Sequence, residues 1–552
     1  MFQRVADAVA APDAGYGMDE AESAERFFGL MSRLEFLPNS PTLMNAGTEV
    51  GQLSACFVLP VGDSLPEIFD ALKDAALIHQ SGGGTGFNFS RLRPRGARVV
   101  KTGGTASGPV SFIEIFDKTT DVIKQAGRRR GANMAILDVT HPDIAEFVLA
   151  KESLDRLTNF NISVGVTDAF MQAVREGEEY DLIDPRTGRP GGRRSAAEVF
   201  ELICSAAWHC GDPGLVFLDA INRGNPTPAL GRIESTNPCG EQPLLAYESC
   251  NLGSINLVAF LRDGEIDYER LGRAVETSVH FLDNVIDANH YPIDAIREST
   301  LRTRKIGLGV MGFADVLYRL NIPYDSEAGL ETGQRIMRFV TERARMASAA
   351  LGERRGSFPA FGDSVWPGRG FRALRNATVT TLAPTGTIGL IAGVSSGIEP
   401  VFALRYWRQM AEGVTLVETH PELAARARLG GLSEEEMLAA CDAEGSVQRC
   451  AALPDDDRRV LVVARDITAE WHVRMQAAFQ RHTDNGVSKT INLPREATVE
   501  TVRHAYLLAH ELGCKGITVY REGCRACDLL HAGAAEGGLP SIADEACEAP
   551  AV

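Results

Sequence analysis

Asn237-Pro-Cys-Gly-Glu-Gln-Pro243, with Glu248-Ser-Cys-Asn-Leu-Gly-Ser-Ile-Asn256 close behind it, is the stretch from which the rest of this chain can be read. It sets the Cys239 thiol two residues from the Asn237 amide and two from the Glu241 carboxylate, and a second thiol, Cys250, eleven residues beyond the first. Pro238, Gly240 and Pro243 argue for a loop, because proline lacks an N–H and glycine tolerates dihedrals that other residues avoid. A loop can push one side chain into a pocket that a helix face cannot reach. A reactive sulfur, a polar anchor and a proton acceptor would then surround one small molecule. The bland alternative is a buried thiol in a proline-rich turn, which the flanking amide and carboxylate make less attractive. A Cys–His–Asp hydrolase stays open at this point: no His lies near Cys239 in sequence, but spatial neighbours cannot be read from it.

The composition around this stretch is that of a globular protein. The chain has 552 residues, 44% hydrophobic, 23% charged and 7% aromatic, which argues against disordered, collagen-like and membrane classes. The length suits roughly three to four average domains, or one large α/β domain with attachments. No run of about 18 apolar residues suggests a spanning helix. The first ten residues lack the charged start, apolar core and cleavage site of a secretory signal, so a soluble cytoplasmic protein is expected. A net charge of −17 argues against nucleic-acid binding through a general basic surface. It leaves room for a small anionic ligand held by local arginines or helix N-termini; Arg128-Arg129-Arg130 is the clearest basic run. Eleven Cys in a long chain of this kind point to redox chemistry or metal binding rather than a disulfide framework.

Outward from the opening stretch, strands and helices alternate, which favours an α/β fold with largely parallel pairing. Helices are expected near 19–35 (Phe27, Phe28, Leu30, Met31 and Leu34 as its stripe), 65–79 after an Asp63-Ser64 cap, 109–125, 141–152, 167–176 and 195–210. Strands are expected near 55–61, carrying Cys56, and near 132–139 and 159–165. Residues 36–51 read as loop, 265–288 and 292–320 as mainly helical, 378–382 as a buried strand, and 410–450 as a helical insertion. Helices near 459–481 and 498–512 and a final strand at 516–520 follow. The Ala/Gly/Glu-rich tail from 531 reads as mobile.

Several motifs carry both a functional and a bland reading. Gly307-Leu-Gly-Val-Met-Gly312 matches GxGxxG, with Asp325 near the expected acidic position, but Leu301-Arg-Thr-Arg-Lys305 makes a poor preceding strand. Close helix packing in an α/β core is the better reading. Gly82-Gly-Gly-Thr-Gly86 lacks the Lys-Ser/Thr of a phosphate-binding Walker loop; it is either a flexible turn or backbone N–H groups near a ligand. Ala383-Pro-Thr-Gly-Thr-Ile-Gly389 joins a β-like run to an apolar stretch and could hold phosphate, or be an ordinary strand-to-helix turn. Cys524-Arg-Ala-Cys527 lacks a regularly spaced second ligand pair for zinc, so an exchanging dithiol suits it better. Cys204 and Cys210 read as buried hydrophobes; Cys441 and Cys450 read as incidental.

Taken together, these motifs resemble the catalytic subunits of ribonucleotide reductases. Asn237–Glu241 with Cys250–Asn256 resembles the family's finger loop. Leu37-Pro-Asn-Ser-Pro-Thr-Leu-Met-Asn-Ala-Gly47, Leu53-Ser-Ala-Cys56, the 82–86 loop, Gly127-Arg-Arg-Arg-Gly-Ala-Asn133, 305–315 and Ala383–Ile388 follow in the family's order. Within the family the chain looks like class II, the adenosylcobalamin-dependent type. A lone Tyr520 stands where class I chains have adjacent tyrosines, and no glycyl-radical motif is found. The resemblance implies a ten-stranded α/β barrel of two five-stranded parallel halves around a central finger loop.

It also implies roles. Cys239 would carry a thiyl radical and take the ribose 3′ hydrogen. Glu241 would take the 3′-hydroxyl proton, and Asn237 would orient the sugar. Cys56 and Cys250 would supply two electrons and become a disulfide, although 194 positions separate them; adjacent parallel barrel strands could bring them together. Ser40, Ala55 and Gly84 match substrate contacts, and Pro384, Thr385, Gly386, Thr387 and Ile388 would hold the phosphates. Asp63, Arg93 and Arg129 match an allosteric nucleotide site, and Cys524 and Cys527 a C-terminal redox pair. The implied partners are a ribonucleoside di- or triphosphate, deoxynucleotide or ATP effectors, a thioredoxin- or glutaredoxin-type reductant and a second copy of the chain, with no nucleic acid, membrane or metal site. Residues 1–35 would be a remnant of an N-terminal helical region without an ATP-cone, and 36–530 the barrel. The alternatives are a class I large subunit needing a radical-donating partner and a silent nucleotide-binding homologue.

Overall fold

Alternating burial explains the central sheet. In the computed structural model, which describes residues 1–99, 103–123, 131–409, 415–429, 436, 441, 445–524 and 531–532, β1 (Cys56–Pro60) turns Phe57 and Leu59 toward surrounding helices. It turns Cys56 and Val58 toward a separate inner cluster, the two-residue period of a strand covered on both faces. Next to it in parallel register come β2 (Gly84–Asn88), β3 (Asn133–Asp138), β4 (Phe160–Val166) and β5 (Gly214–Phe217).

A short hairpin, β6 (Ser235–Thr236) with β7 (Pro243–Leu244), leads into a second parallel set. This set is β8 (Ser249–Asn256), β9 (Ile306–Met311), the extended segment 378–382, β10 (Thr490–Leu493) and β11 (Gly516–Arg521). Parallel bridges Leu308–Thr380 and Leu382–Val487 tie the segment 378–382 into it. The halves meet antiparallel twice, β1 with β8 and β5 with β11. The ring therefore closes as a ten-stranded barrel of two five-stranded parallel halves, as the resemblance implied. The strand Phe36–Pro38 adds antiparallel to the outer end of β8.

Helices cover the outside. Helix α1 (Phe2–Ala10) and helix α2 (Glu20–Ser32) pack over the long helix Tyr268–Ala288, while α3 (Leu65–Ser81) and α4 (Pro109–Val122) lie side by side on the first half. Ser64 caps α3 by accepting from the Glu67 N–H, and Gly82 ends it at φ +103°, the left-handed C-terminal stop that glycine supplies. Helix α5 (Tyr268–Ala288) and helix α6 (Glu327–Arg355) cover the second half.

Three expectations change. Residues 36–51 are not all loop: Asn39 caps a helix, Ser40–Asn45, by accepting from the Thr42 N–H. The 292–320 region contains a strand, because Ile306-Gly-Leu-Gly-Val-Met311 is an apolar run fit for a fully buried parallel strand. Its glycines serve strand and loop contacts rather than helix packing. Within 410–450, the described residues hold a strand, Thr415–Thr419, as well as a helix, Pro421–Leu429. No helix among the described residues is long and apolar enough to cross a membrane.

Candidate active site

The 235–244 hairpin threads the barrel, and glycines in the wall make room for it. A Cβ on Gly86 would lie 1.7 Å from the Thr236 carbonyl oxygen, and one on Gly486 would lie 2.6 Å from the Gly240 oxygen. At the tip, the Asn237 N–H donates to the Gln242 carbonyl (3.1 Å), and its side-chain oxygen accepts from the Gln242 N–H (2.9 Å). Gly240 turns the chain at φ +80°. Both barrel halves hold the tip: Asn161 Nδ2 donates to the Pro238 carbonyl (2.9 Å), while Thr381 Oγ1 and the Gly486 N–H donate to the Glu241 carbonyl (each 2.8 Å). The proline- and glycine-rich loop read from the sequence is thus a rigid finger.

Three distant parts of the chain meet at this tip. Asn237 Nδ2 donates to Cys56 Sγ at 3.0 Å, and Cys56 Sγ lies 3.9 Å from Glu241 Oε1. Cys250 is directly opposite Cys56 in the antiparallel β1–β8 pairing. Residues so placed have Cα atoms about 4.5–5.5 Å apart, inside the roughly 4.4–6.8 Å that a disulfide needs. The pair stands at the antiparallel seam between the halves, not on adjacent parallel strands as expected. Both are free thiols, with Cys250 Sγ aimed into the wall at the carbonyls of Asn251 (3.4 Å) and Lys305 (3.6 Å). Cys239, at the tip, is the only one of the three that is partly exposed.

Burial governs the protonation of the cluster. It pushes the Glu241 carboxyl up to about 7, against bonds from Asn237 and Cys56 that favour the charged form. Glu241 Oε2 is buried without a hydrogen-bond partner, so one oxygen is free to receive a proton from a bound molecule. Burial likewise raises both Cys56, where Glu241 and the neighbouring thiols add to it, and Cys250, where the Lys305 charge opposes it. Both stay protonated at neutral pH and hold hydrogens as well as electrons.

Sequence reading missed a buried ion pair beside Cys250. Lys305 Nζ lies 2.6 Å from Glu248 Oε2, with both side chains almost completely buried. Glu248 also accepts from the Leu245 N–H and Thr303 Oγ1 (each 2.7 Å). No local signal marked the pair: Glu248 and Lys305 stand in polar sequence just ahead of two strands, and only the fold buries them against one another.

The other expected residues fall in separate places. Ala55 precedes Cys56 and accepts from the Gly84 N–H at 2.9 Å, and Gly84 is the register partner of Cys56. Ser40 opens the Ser40–Asn45 helix. Pro384–Ile388 forms a tight turn from the 378–382 segment into α7 (Gly386–Ala392), with Thr385 at φ +59° and its hydroxyl accepting from the Gly397 N–H at 2.7 Å. Asp63 and Arg93 bind one another through the Arg93 Nε (2.9 and 3.0 Å) near the start of α3. Cys524 is buried. Arg129 and Cys527 lie outside the described residues.

Comparison with known proteins places this geometry in context. Residues 54–520 match the family described as "Ribonucleotide reductase, barrel domain", and residues 1–51 match "Ribonucleotide reductase, all-alpha domain". A vitamin B12-dependent ribonucleoside-diphosphate reductase of Thermoplasma acidophilum is 53% identical over 526 residues, 95% of this chain and 68% of the relative. One of Mycobacterium tuberculosis (strain CDC 1551 / Oshkosh) is 52% identical over 536 residues, 97% of this chain and 77% of the relative. The solved alpha subunit of the Actinobacillus ureae class Id ribonucleotide reductase superposes with a TM-score of 0.78 at 26% identity, covering 94% of this chain and 93% of that one.

Proposed function

The chain belongs to the ribonucleotide reductase family, and from that premise we propose that it reduces ribonucleotides to 2′-deoxyribonucleotides as a class II enzyme. The relatives' names point to ribonucleoside diphosphates as substrates and to a vitamin B12 cofactor, here adenosylcobalamin. The observation that carries the reading is the meeting of Cys56, Asn237, Glu241 and Cys250 at one buried point, with the partly open Cys239 on the same rigid tip.

The tip suits the cofactor's reactive end. A Cβ on Gly240 would meet nothing within 4 Å, so there is open space beside Cys239. When bound, adenosylcobalamin supplies the homolysis that starts radical chemistry on a thiol; orientation and exclusion fall to the protein. Cys239 would act on the ribose 3′ hydrogen. Asn237 would fix the sugar, and Glu241, ionised in part near neutral pH, would accept the 3′-hydroxyl proton through its unpartnered oxygen. Two protonated thiols, Cys56 and Cys250, would give two hydrogens: the 2′ C–O bond breaks, a C–H bond forms, water leaves and the sulfurs join. Ser40, Ala55, Gly84 and the 384–388 turn would bind the nucleotide, the turn taking the phosphates.

A second copy of the chain suits the α3–α4 face, where Leu65, Phe69, Leu77, Ile115 and Val122 stay exposed. The Asp63–Arg93 pair beside it would receive a deoxynucleotide or ATP effector, and the resemblance adds Arg129 to that site. A thioredoxin- or glutaredoxin-type dithiol would reopen the disulfide, with Cys524 and Cys527 as an intermediate pair. The test is anaerobic reduction of CDP and CTP with adenosylcobalamin and a dithiol and no partner subunit. Deoxynucleotide is expected from the chain and none from Cys239→Ala. Equal turnover in both, or none from the folded chain, would sink the reading.

A further inference from the structure

The two sulfurs of the reducing pair occupy unlike surroundings. Cys56 faces the finger: its Sγ contacts Asn237 and Glu241. Cys250 Sγ points into the wall, and Lys305 is its neighbour across two parallel strands, since Asn251 pairs with Ile306. Lys305 and Cys250 stand one step before that pair, with the Lys305 carbonyl 3.6 Å from Cys250 Sγ. The Lys305 ammonium is held by Glu248, two residues before Cys250, which fixes it in the neighbourhood of the Cys250 thiol. It has a hydrogen bond to Glu248 Oε2 and, among the described residues, to no other acceptor, while an ammonium has three donors. The Lys305 charge opposes the upward push of burial on Cys250, whereas the Glu241 charge adds to it on Cys56.

A disulfide is split by attack of a thiolate on one sulfur, and the better-stabilised sulfur leaves. We propose that Lys305 is a positioning residue that makes Cys250 the leaving sulfur, so that whichever dithiol reopens the disulfide bonds to Cys56. The reductant's thiolate attacks Cys56 Sγ from the finger side, the Cys56–Cys250 bond breaks, and its electron pair goes to Cys250 as a thiolate beside the ammonium. The reductant's second thiol then attacks the mixed disulfide, releases Cys56 and leaves the reductant as a disulfide. Its two protons end on Cys56 and Cys250. The inference rests on Cys56 and Cys250 being the redox pair.

Peptide mapping after turnover without reductant tests that underlying reading separately, since it must find the Cys56–Cys250 disulfide. The oxidised protein is then treated briefly with 2-mercaptoethanol, a monothiol that cannot complete the exchange, and quenched with N-ethylmaleimide. Mass spectrometry should find mercaptoethanol on Cys56 and maleimide on Cys250, with a preference of about tenfold or more, because the better-stabilised thiolate leaves faster. Mercaptoethanol mainly on Cys250, or equally on both, overturns the proposal in the unaltered chain. Removing Lys305 alone would strand the Glu248 charge, so the comparison uses Lys305→Met with Glu248→Gln, which removes both charges together. There the preference should fall to about twofold or less, with Lys305→Arg keeping it; an unchanged preference in the folded double variant overturns the role of Lys305.

Discussion

At the scale of single residues, the site is a study in what burial does to charge. Glu241 and Asp283 are both fully enclosed carboxyls, and their surroundings push them in opposite directions. Burial lifts Glu241 to about 7, with only neutral donors, the Asn237 amide, its own backbone N–H and the Cys56 thiol, to offset it. Asp283 meets the same burial, yet Arg304, Arg375 and Arg355 hold it below the usual carboxylate range. For Glu241 the folded value lies above the unfolded one, so the fold favours the protonated form. Its stability contribution is fully present below the unfolded value, near 4.5, and is lost as pH rises to about 7. Glu241→Gln should therefore stabilise the protein by about 3 kcal/mol at pH 8, with the gain vanishing below pH ~4.5, while deoxynucleotide formation is abolished. Urea unfolding at pH 4.5, 6 and 8 checks the first part. An equal effect at all three would mean that the buried carboxyl is not what strains the site. For the unaltered protein, turnover should rise with pH through about 7, as the base ionises.

At the scale of elements, the finger exists because the wall lacks side chains where it passes. Gly86 is the severest case: its would-be Cβ overlaps the Thr236 carbonyl oxygen, a backbone atom that has no rotamer to move. Gly86→Ala should displace the hairpin, cut kcat by at least about a hundredfold, as misplacement near 1 Å does, and destabilise the fold by roughly 1–3 kcal/mol. Activity within twofold of normal would mean that the finger does not run through the barrel here. Part of this was legible in advance. The prolines and glycine of 237–243 announced a loop, and the 82–86 glycines hinted at a backbone approach. The strand at 306–311 was not legible, because an apolar Gly-containing run between two helical patterns has no period that separates strand from helix. The antiparallel seam that sets Cys56 against Cys250 was also hidden, because strand order is a property of the closed barrel and not of any segment. The Glu248–Lys305 pair escaped because each residue looks ordinary until the parallel register of β8 and β9 brings them together.

At the scale of the whole molecule, the N-terminal helices and the second barrel half are fastened by one buried charge network. Asp283 on α5 binds Arg304, Arg355 and Arg375, and Asn376 donates to it at 3.0 Å. Arg355, at the end of α6, reaches on to Asp13 and His280, so the link between α1 and α2 is tied through α6 to the strand-bearing core. Cys250 sits on β8, which packs directly against α5, so loosening this network should reach the site through that strand. A buried network stabilises little in net terms, yet breaking it leaves uncompensated charge. Asp283→Ala would strand three buried guanidinium groups and should cost about 3–5 kcal/mol at neutral pH. Because the folded state holds Asp283 below its ordinary value of 3.8, its contribution is present above that value and lost as pH falls through the lower folded one. The gap between the two proteins should therefore close only in strong acid. Urea unfolding across pH gives the gap. Limited proteolysis should show residues 1–32 released first in the variant, and cleavage spread evenly along the chain would mean that the network does not fasten the N-terminal helices.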